Sequence, residues 1–241
     1  MEYGFLLLLF LISALYASVG HGGASGYLAL MAIYQFAPEV MKPSALVLNL
    51  FVAGIAFIQF YLRGYFRFKL FLPFALASIP MAFLGGTIQL DPTWYKRILG
   101  ILLIFAVLRL VGVFGDQSNT DRELKMWQGL IFGGVIGFFS GLIGIGGGII
   151  LSPVILLLGW GNLKETAAVS ALFIWINSLA GLLGMMSSGN FITFNLWPYI
   201  VVAIAGGSLG AYLGSYKWNY QVLRYCLSFV LAMASIKLIF I

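Results

Sequence analysis

Long apolar runs recur along the whole of this chain and constrain its fold more than any other feature. Several of them reach about 18 residues or more, which is enough for a helix to cross about 30 Å of hydrocarbon. Of the 241 residues, 62% are hydrophobic and only 8% are charged, whereas soluble domains carry about 25% charged residues. Such a chain cannot hide its surface from water, so we predict an all-α polytopic membrane protein.

The runs fall into two similar series separated by a polar stretch. In each series a first run ends in a glycine cluster, a short run follows, and three long runs complete the series. The runs are 4–19, 27–36, 43–62, 68–90 and 94–113, and then 126–143, 149–158, 164–186, 195–216 and 220–241. We therefore predict an N-terminal repeat over 1–114, a polar cytoplasmic connector over 115–125 and a C-terminal repeat over 126–241.

The glycine clusters coincide when the two series are overlaid with a shift of about 124 residues. The shared order and spacing of several glycines indicate an internal duplication. The matched pairs are Gly20 with Gly144, Gly22 with Gly146, Gly23 with Gly147, and Gly85 with Gly210.

The 13 lysine and arginine residues distinguish two topologies. If each glycine-broken pair returns to its starting side, the repeats are inverted and the basic residues divide nine against four. If each pair crosses once, the repeats are parallel and the division is seven against six. Because cytoplasmic loops are enriched in Lys and Arg, we predict two inverted structural repeats, each a glycine-broken helical hairpin followed by three transmembrane helices. The predicted cytoplasmic face holds Arg63, Arg67, Lys69, Arg109, Arg122, Lys125, Lys164, Lys217 and Arg224, and the outer face holds Lys42, Lys96, Arg97 and Lys237.

The glycine clusters are predicted to interrupt helices within the membrane. The short run after each cluster would make only about 15 Å of helix, which cannot cross a bilayer alone. New helices would begin near Ala24 and Gly148, and the free N–H groups and positive dipole end of a helix start bind anions without a basic side chain. The alternative is that these glycines only allow close helix packing. Two clusters at matched positions favour a site for a small oxyanion at the repeat interface.

Few polar side chains interrupt the apolar runs. His21, the single histidine, lies inside the first cluster, which favours a functional role. The hydroxyl of Ser25 can cap the following helix or contact a ligand. For Asn49 and Asn177 an interhelical hydrogen bond is the alternative to ligand contact, and for Trp175 it is helix packing. The predicted substrate-binding residues are Gly22, Gly23, Ala24, Ser25, Gly146, Gly147, Gly148, His21, Asn49, Asn177 and Trp175, with Gln59, Ser140 and Ser170 as further candidates.

Several functional classes lack the residues that they need. The Asp and Glu residues lie at run ends or in loops, so an acidic proton relay has no parts within the membrane. Cys226 is the only cysteine, which excludes an internal disulfide and a multi-thiolate metal site. No G-x-x-x-x-G-K-[ST] string supplies a nucleotide-binding loop, and no nucleophile–base pair supports catalysis. We expect no enzymatic activity, no cofactor and no metal site.

The two glycine clusters carry a family resemblance. GHGGA at 20–24 and GLIGIGGG at 141–148 are similar to the repeated G-x-G-G-G segments of the sulfite exporter TauE/SafE family, also called the toluene sulfonate uptake permease family. The second segment is the closer match, since the first has Ala24 in place of a third glycine. The resemblance covers essentially the whole chain. It implies transport of small sulfur-containing anions, such as sulfite, sulfoacetate and other organosulfonates, across a prokaryotic cytoplasmic (inner) membrane.

The membrane potential predicts a direction of anion transport. A negative interior favours anion exit by about 2.3 kcal/mol per charge per 100 mV, so we predict export by alternating access, with rocking of the halves. The alternatives are a proton-coupled uptake permease for organosulfur anions that uses His21, a cation or metal permease, and a non-transport membrane scaffold or intramembrane enzyme. The expected partners are a small anionic substrate and the lipid bilayer, with no nucleic acid, and the sequence leaves a homodimer open.

Overall fold

The computed structural model describes residues 2–111, 122–189 and 195–216, together with positions 232 and 236. The described part of the chain is helical and has no strand. Five of its helices, α3, α4, α6, α8 and α9, are long and apolar enough to cross a membrane, which confirms the prediction of an all-α multi-pass membrane protein. Apart from positions 232 and 236, the predicted run 220–241 lies outside the described residues, as does most of the connector. The helices are α1 (Glu2–Ser18), α2 (Ala24–Ile33), α3 (Pro38–Leu62), α4 (Phe68–Thr87), α5 (Pro92–Val111), α6 (Met126–Ile143), α7 (Gly148–Leu157), α8 (Leu163–Ser187) and α9 (Trp197–Tyr216).

Both helix interruptions fall at the predicted positions. α2 begins at Ala24 and α7 begins at Gly148. The residues before them, Gly23 and Gly147, have φ values of +91° and +79°, in the left-handed region that glycine enters without steric cost. The backbone therefore requires glycine at both breaks, independently of any packing role.

Each interrupted pair folds back as a hairpin. In the first pair, the ring of Phe5 near the start of α1 lies 5.2 Å from the ring of Tyr34 and 5.3 Å from that of Phe36, both just after α2. In the second pair, the N–H of Arg122 before α6 donates to the carbonyl oxygen of Gly159 after α7, at 2.8 Å. The chain therefore leaves each hairpin on the side where it entered.

Glycine stripes join helices of different halves. On α6, successive glycines four residues apart face α4, and a Cβ at Gly141 would collide with the carbonyl oxygen of Ala82. On α9, a Cβ at Gly210 would collide with the carbonyl oxygen of Ala14 on α1. Small residues let backbones approach this closely in membranes. The stripes are Gly129, Gly133, Gly137 and Gly141 against Pro73, Phe74, Ser78 and Ala82, and Gly206, Gly210 and Gly214 against Phe10, Ala14 and Ser18, so each of these pairs runs parallel.

The helices α3 and α8 run antiparallel and pack against each other. Leu46, near the start of α3, clusters with Met185 near the end of α8. Phe60, near the end of α3, clusters with Ala168 near the start of α8. Residues from both halves of the chain therefore meet at the middle of this crossing.

One end of the molecule gathers the described basic residues that were predicted to be cytoplasmic. Arg67, in the α3–α4 turn, forms an ion pair of 3.1 Å with Glu165 at the start of α8. Lys164 donates to the hydroxyl of Tyr65 at 2.9 Å. Exposed pairs of this kind contribute about 0–1 kcal/mol, so they indicate which helix ends share a side more than they stabilise the fold. The basic residues at this end are Arg63, Arg67, Lys69, Arg122, Lys125 and Lys164, and those near the opposite end are Lys42, Lys96 and Arg97. The side chain of Arg109, together with Lys217, Arg224 and Lys237, lies outside the described residues.

Candidate functional site

The two glycine breaks meet at the α3–α8 crossing. A Cβ at Gly22 would collide with Oδ1 of Asn49, and a Cβ at Gly146 would lie 2.5 Å from Nδ2 of the same amide. Both would also press on Cγ2 of Ile174, at 2.9 Å and 2.8 Å. One residue of α3 and one residue of α8 thus contact both breaks, so the two helix restarts are close in space.

Neither restart is capped by the side chain of its own N-cap residue, because both N-cap residues are glycines. The N-cap residues Gly23 and Gly147 make no side-chain cap hydrogen bond. The first N–H groups of any helix have no acceptor in their own helix. The backbone donors at Ala24 and Gly148 therefore sit at two uncapped positive helix ends, which is the arrangement that binds anions at helix N-termini.

Asn49 is the polar group between the breaks. Its side chain is fully buried, and its Nδ2 donates to the hydroxyl of Ser178 on α8 at 3.2 Å. Its Oδ1 accepts no hydrogen bond from the described residues. A buried polar atom without a partner costs about 1–3 kcal/mol, and most such atoms in folded proteins are satisfied. The interhelical hydrogen bond that was the alternative to ligand contact for Asn49 is present, but it leaves Oδ1 of the amide unused.

His21 links the first break to the second half. Its Nδ1 lies 3.0 Å from the carbonyl oxygen of Val19, and its Nε2 lies 3.0 Å from the hydroxyl of Ser152 on α7. A carbonyl only accepts, so in the neutral ring Nδ1 carries the proton and Nε2 accepts from Ser152. The hydroxyl of Ser152 is in turn 2.8 Å from that of Ser170 on α8. These buried groups form a continuous hydrogen-bonded chain across the break.

Two predicted side chains make contacts that differ from those expected. Ser25 does not cap α2, because its hydroxyl donates to the hydroxyl of Tyr16 on α1 at 2.9 Å; the capping alternative was wrong. Asn177 makes no interhelical hydrogen bond among the described residues, since its Nδ2 donates to the carbonyl oxygen of Phe173 in its own helix at 2.8 Å. Its Oδ1 also has no described partner.

Trp175 packs against α3. A Cβ at Gly54 would lie 3.2 Å from the indole ring of Trp175, as the packing alternative expected. Ser140 is fully buried and lies beside Gly147, where a Cβ would be 3.5 Å from the serine Cβ. Its hydroxyl has no hydrogen-bond partner among the described residues, so it adds a free polar group near the second break.

Three residues at the crossing were not selected from the sequence: Ser152, Ile174 and Ser178. The spacing of Ser170, Ile174 and Ser178 is four residues, which places them on one face of α8. That periodicity was available in the sequence and would have identified two of the three. Nothing comparable marks Ser152, whose position follows only from the way α7 folds back beside His21.

The crossing is closely packed in this conformation. Asn49, Ile174 and His21 are at most 7% exposed. A Cβ at Gly148 would collide with Cδ1 of Ile174 and would lie 3.5 Å from the ring of His21. For an anion to reach both helix starts, the Ile174 side chain must move away from the glycines.

The sequence of this chain matches one protein family over nearly its whole length. The family model for the sulfite exporter TauE/SafE matches residues 5–238. This chain belongs to the TauE/SafE family. Both uncapped helix starts, both hairpins and the α3–α8 crossing lie within the part of the chain that matches.

Relatives of this TauE/SafE protein are named as transporters. The probable membrane transporter protein y4hK of Sinorhizobium fredii is 38% identical over 241 residues, which covers 98% of this chain and 97% of the relative. A probable membrane transporter protein of Methanocaldococcus jannaschii is 27% identical over 217 residues, with 83% and 78% covered. YjnA of Bacillus subtilis, also a probable membrane transporter protein, is 24% identical over 260 residues, with 99% and 100% covered. No solved structure matches the chain. The protein is therefore a membrane transporter of the TauE/SafE family.

Proposed function

We propose that this TauE/SafE transporter exports a small sulfur-containing anion, sulfite or an organosulfonate such as sulfoacetate, across a prokaryotic cytoplasmic membrane. One observation carries the proposal: two uncapped helix starts, one from each half, meet at Asn49 and Ile174. Each start contributes backbone donors and a positive dipole end. Together they suit an oxyanion with several acceptor oxygens, and the name of the family describes a sulfite exporter.

We further propose that the two halves are inverted repeats. Equivalent helices of inverted repeats run in opposite directions, and α3 and α8 are antiparallel. Both broken pairs return to the side from which they came, so each repeat would cross the membrane an odd number of times. The end of the molecule that carries the Arg67–Glu165 pair would be cytoplasmic, because most of the described basic residues lie there.

In the proposed site the anion is held by neutral donors. The backbone N–H groups at Ala24 and Gly148 would contact its oxygens from two sides. If the amide of Asn49 turns over, the hydroxyl of Ser178 can donate to Oδ1, and the amide nitrogen with its two N–H groups then lies beside Gly22 at the first break. This turn would satisfy the oxygen that is unpaired in the present conformation. Asn177 and His21 would adjust selectivity from the edges of the site.

The proposed direction of transport follows from the negative charge of the anion and from the lack of a described acidic site for a coupling ion. None of the described carboxylates is buried, so the described residues offer no acidic site for a coupling ion within the membrane. An interior potential of about −100 mV contributes about 2.3 kcal/mol to the exit of a singly charged anion. That free energy corresponds to a concentration ratio of about 50 at equilibrium, so export needs no second substrate.

The function is tested by sulfite flux in proteoliposomes with an imposed potassium diffusion potential. We expect sulfite loaded inside to leave faster when the interior is negative, and to leave slowly from liposomes without protein at the same potential. The absence of potential-dependent flux of sulfite, sulfate and sulfoacetate alike would overturn the proposal. A pH gradient that drives accumulation, and that no longer does so in His21→Gln, would support proton-coupled uptake through the chain His21–Ser152–Ser170.

The Asn49→Leu variant separates a binding role from a structural one. Removing a hydrogen bond to a charged ligand costs about 1.5–3 kcal/mol, so we expect the sulfite flux at subsaturating concentration to fall by about tenfold or more. We expect the melting temperature in detergent to change little, because the variant also removes an unpaired buried oxygen. Gln59, a further candidate from the sequence, lies about 15 Å along α3 from Asn49 and is only half-buried. Gln59→Leu is therefore the matched control and should retain flux. A loss of flux in Asn49→Leu that is accompanied by a large fall of the melting temperature would assign Asn49 a structural role only.

A further inference from the structure

A separate cavity of about 210 Å³ lies at the end of the molecule opposite the Arg67–Glu165 pair. It is bounded by the start of α3, the segment after α4 and the start of α5. One water molecule takes up about 30 Å³ in the liquid, so the cavity has room for a small anion with water around it. Its lining includes Glu39, Lys42, Gln89, Tyr95, Leu142 and Met185.

Lys42 is the buried charge of this cavity. The residue is only 9% exposed, and its Nζ donates to the carbonyl oxygens of Gly86 at 3.2 Å and Ile88 at 3.3 Å. Among the described residues, no carboxylate forms an ion pair with it. A buried ammonium without a counter-charge is costly. The two carbonyls at the end of α4 satisfy two of its three N–H donors but leave its charge uncompensated.

The cavity adjoins the second glycine break. A Cβ at Gly144, the first glycine after α6, would lie 3.1 Å from the carbonyl oxygen of Lys42 and 3.2 Å from its Cγ. The hydroxyl of Tyr95 donates to the carbonyl oxygen of Ile143, the last residue of α6, at 2.9 Å. One wall of the cavity is therefore the end of α6, a few residues before the helix restart at Gly148.

We propose that this cavity is an anion-binding vestibule for small oxyanions, with the ammonium of Lys42 as its charged ligand. The vestibule lies on the side of the membrane where α3 begins, beside the second break. That the bound anion is the transported one rests on the proposed function, whereas anion binding at Lys42 does not require transport. Glu39 is the one carboxylate in the described lining, and its exposed side chain opposes the attraction that Lys42 exerts.

The competing explanation is that Lys42 only caps α4. Lysine near a helix C-terminus can satisfy the last carbonyls and complement the dipole, and the bonds to Gly86 and Ile88 are of this kind. A cap would stabilise the fold without binding an anion. Both roles have the same static contacts and the same positive charge, so they differ only in whether an anion competes for the site.

Thiol labelling in the vestibule first tests whether the charge of Lys42 acts on solutes there. Gln89 is exposed and lines the cavity, so Gln89→Cys in a Cys226→Ser background places the chain's only thiol at its mouth. The purified protein is labelled with an anionic and with a cationic methanethiosulfonate reagent, and the ratio of the two rates is recorded. We expect Lys42→Met to lower the anionic-to-cationic ratio by about tenfold, because losing a unit charge affects the two reagents in opposite senses.

Sulfate at constant ionic strength tests binding directly. We expect it to slow labelling by the anionic reagent in the Lys42 protein and in Lys42→Arg, but not in Lys42→Met. Arg97→Gln, a change of an exposed cation on α5 outside the cavity lining, is the matched control and should leave sulfate protection intact. Sulfate protection that persists unchanged in Lys42→Met, or that is absent from the Lys42 protein, would overturn the proposal.

Glu39→Gln provides a second variant that leaves the packing of Lys42 untouched. Since Glu39 is exposed, we expect a folded protein in which the anionic reagent reacts faster and sulfate protects at lower concentration. An unchanged ratio and unchanged protection would count against the vestibule, even if the Lys42 variants fail to fold. Because none of these readings involves flux, a failure here is distinguishable from a failure of the export proposal.

Discussion

Replacing Gly146 by alanine is expected to reduce sulfite flux by about 100-fold or more. Gly146 has a φ of +72°, and alanine in the left-handed region costs about 1–2 kcal/mol. The added Cβ would also lie 2.5 Å from Nδ2 of Asn49 and 2.8 Å from Ile174, and overpacking of this kind costs about 1–3 kcal/mol. Both costs act where the two helix restarts meet. Flux in proteoliposomes, normalised to the amount of reconstituted protein, measures the effect.

Gly189→Ala is the control for backbone strain. Gly189 has a similar φ of +82°, but a Cβ there meets nothing within 4 Å. We expect this variant to lose a little thermal stability and to keep its flux. If Gly146→Ala transports as well as Gly189→Ala does, close contact between the breaks is not needed for transport, and the site must lie elsewhere.

Replacing Gly141 by alanine is expected to cause a large loss of stability. A Cβ at Gly141 would collide with the carbonyl oxygen of Ala82 and lie 2.8 Å from the backbone nitrogen of Gly86. Both atoms belong to the backbone of α4, so no side-chain rotation can relieve the collision, and α4 and α6 must separate along the glycine stripe. We expect a cost at or above the upper end of the usual range for overpacking, about 3 kcal/mol, seen as a fall of the melting temperature in detergent.

Gly134→Ala is the matched control on the same helix. A Cβ at Gly134 would lie 3.7 Å from that of Ala77, which is ordinary van der Waals contact. Alanine is also the better helix former by about 1 kcal/mol, so the melting temperature should stay constant or rise. Equal melting temperatures for Gly141→Ala and Gly134→Ala would show that the α4–α6 contact is looser than the structure has it.

The positions of the breaks were predictable because the effect of a glycine on the backbone is confined to its own position in the chain. Left-handed backbone before Ala24 and Gly148 needs glycine, and that requirement is visible in the sequence. The same motif also contains Gly141, whose role is different: it lies inside α6 and serves the contact with α4. Close packing was the alternative predicted for the clusters, and it applies to Gly141, whereas Gly23 and Gly147 are needed for the left-handed backbone.

The composition of the crossing was predictable only in part. Asn49 was selected because an amide is rare in an apolar run, and it does lie between the breaks. Ile174 was not selected, although it contacts both breaks, because an isoleucine in a membrane helix is indistinguishable in sequence from an ordinary packing residue. The assignment of Asn177 to the same role as Asn49 stays a prediction, since its partner depends on helix rotation, which one sequence does not specify.

The parallel glycine contacts have a consequence for motion. The first helix of each half is fixed to the fourth helix of the other half, α6 to α4 and α1 to α9. A displacement of α1 or α6 that opens a break must therefore also move the helix of the opposite half that is packed against it. If transport moves groups of helices as units, we expect each unit to contain helices of both halves, so that the polar connector does not separate one unit from the other.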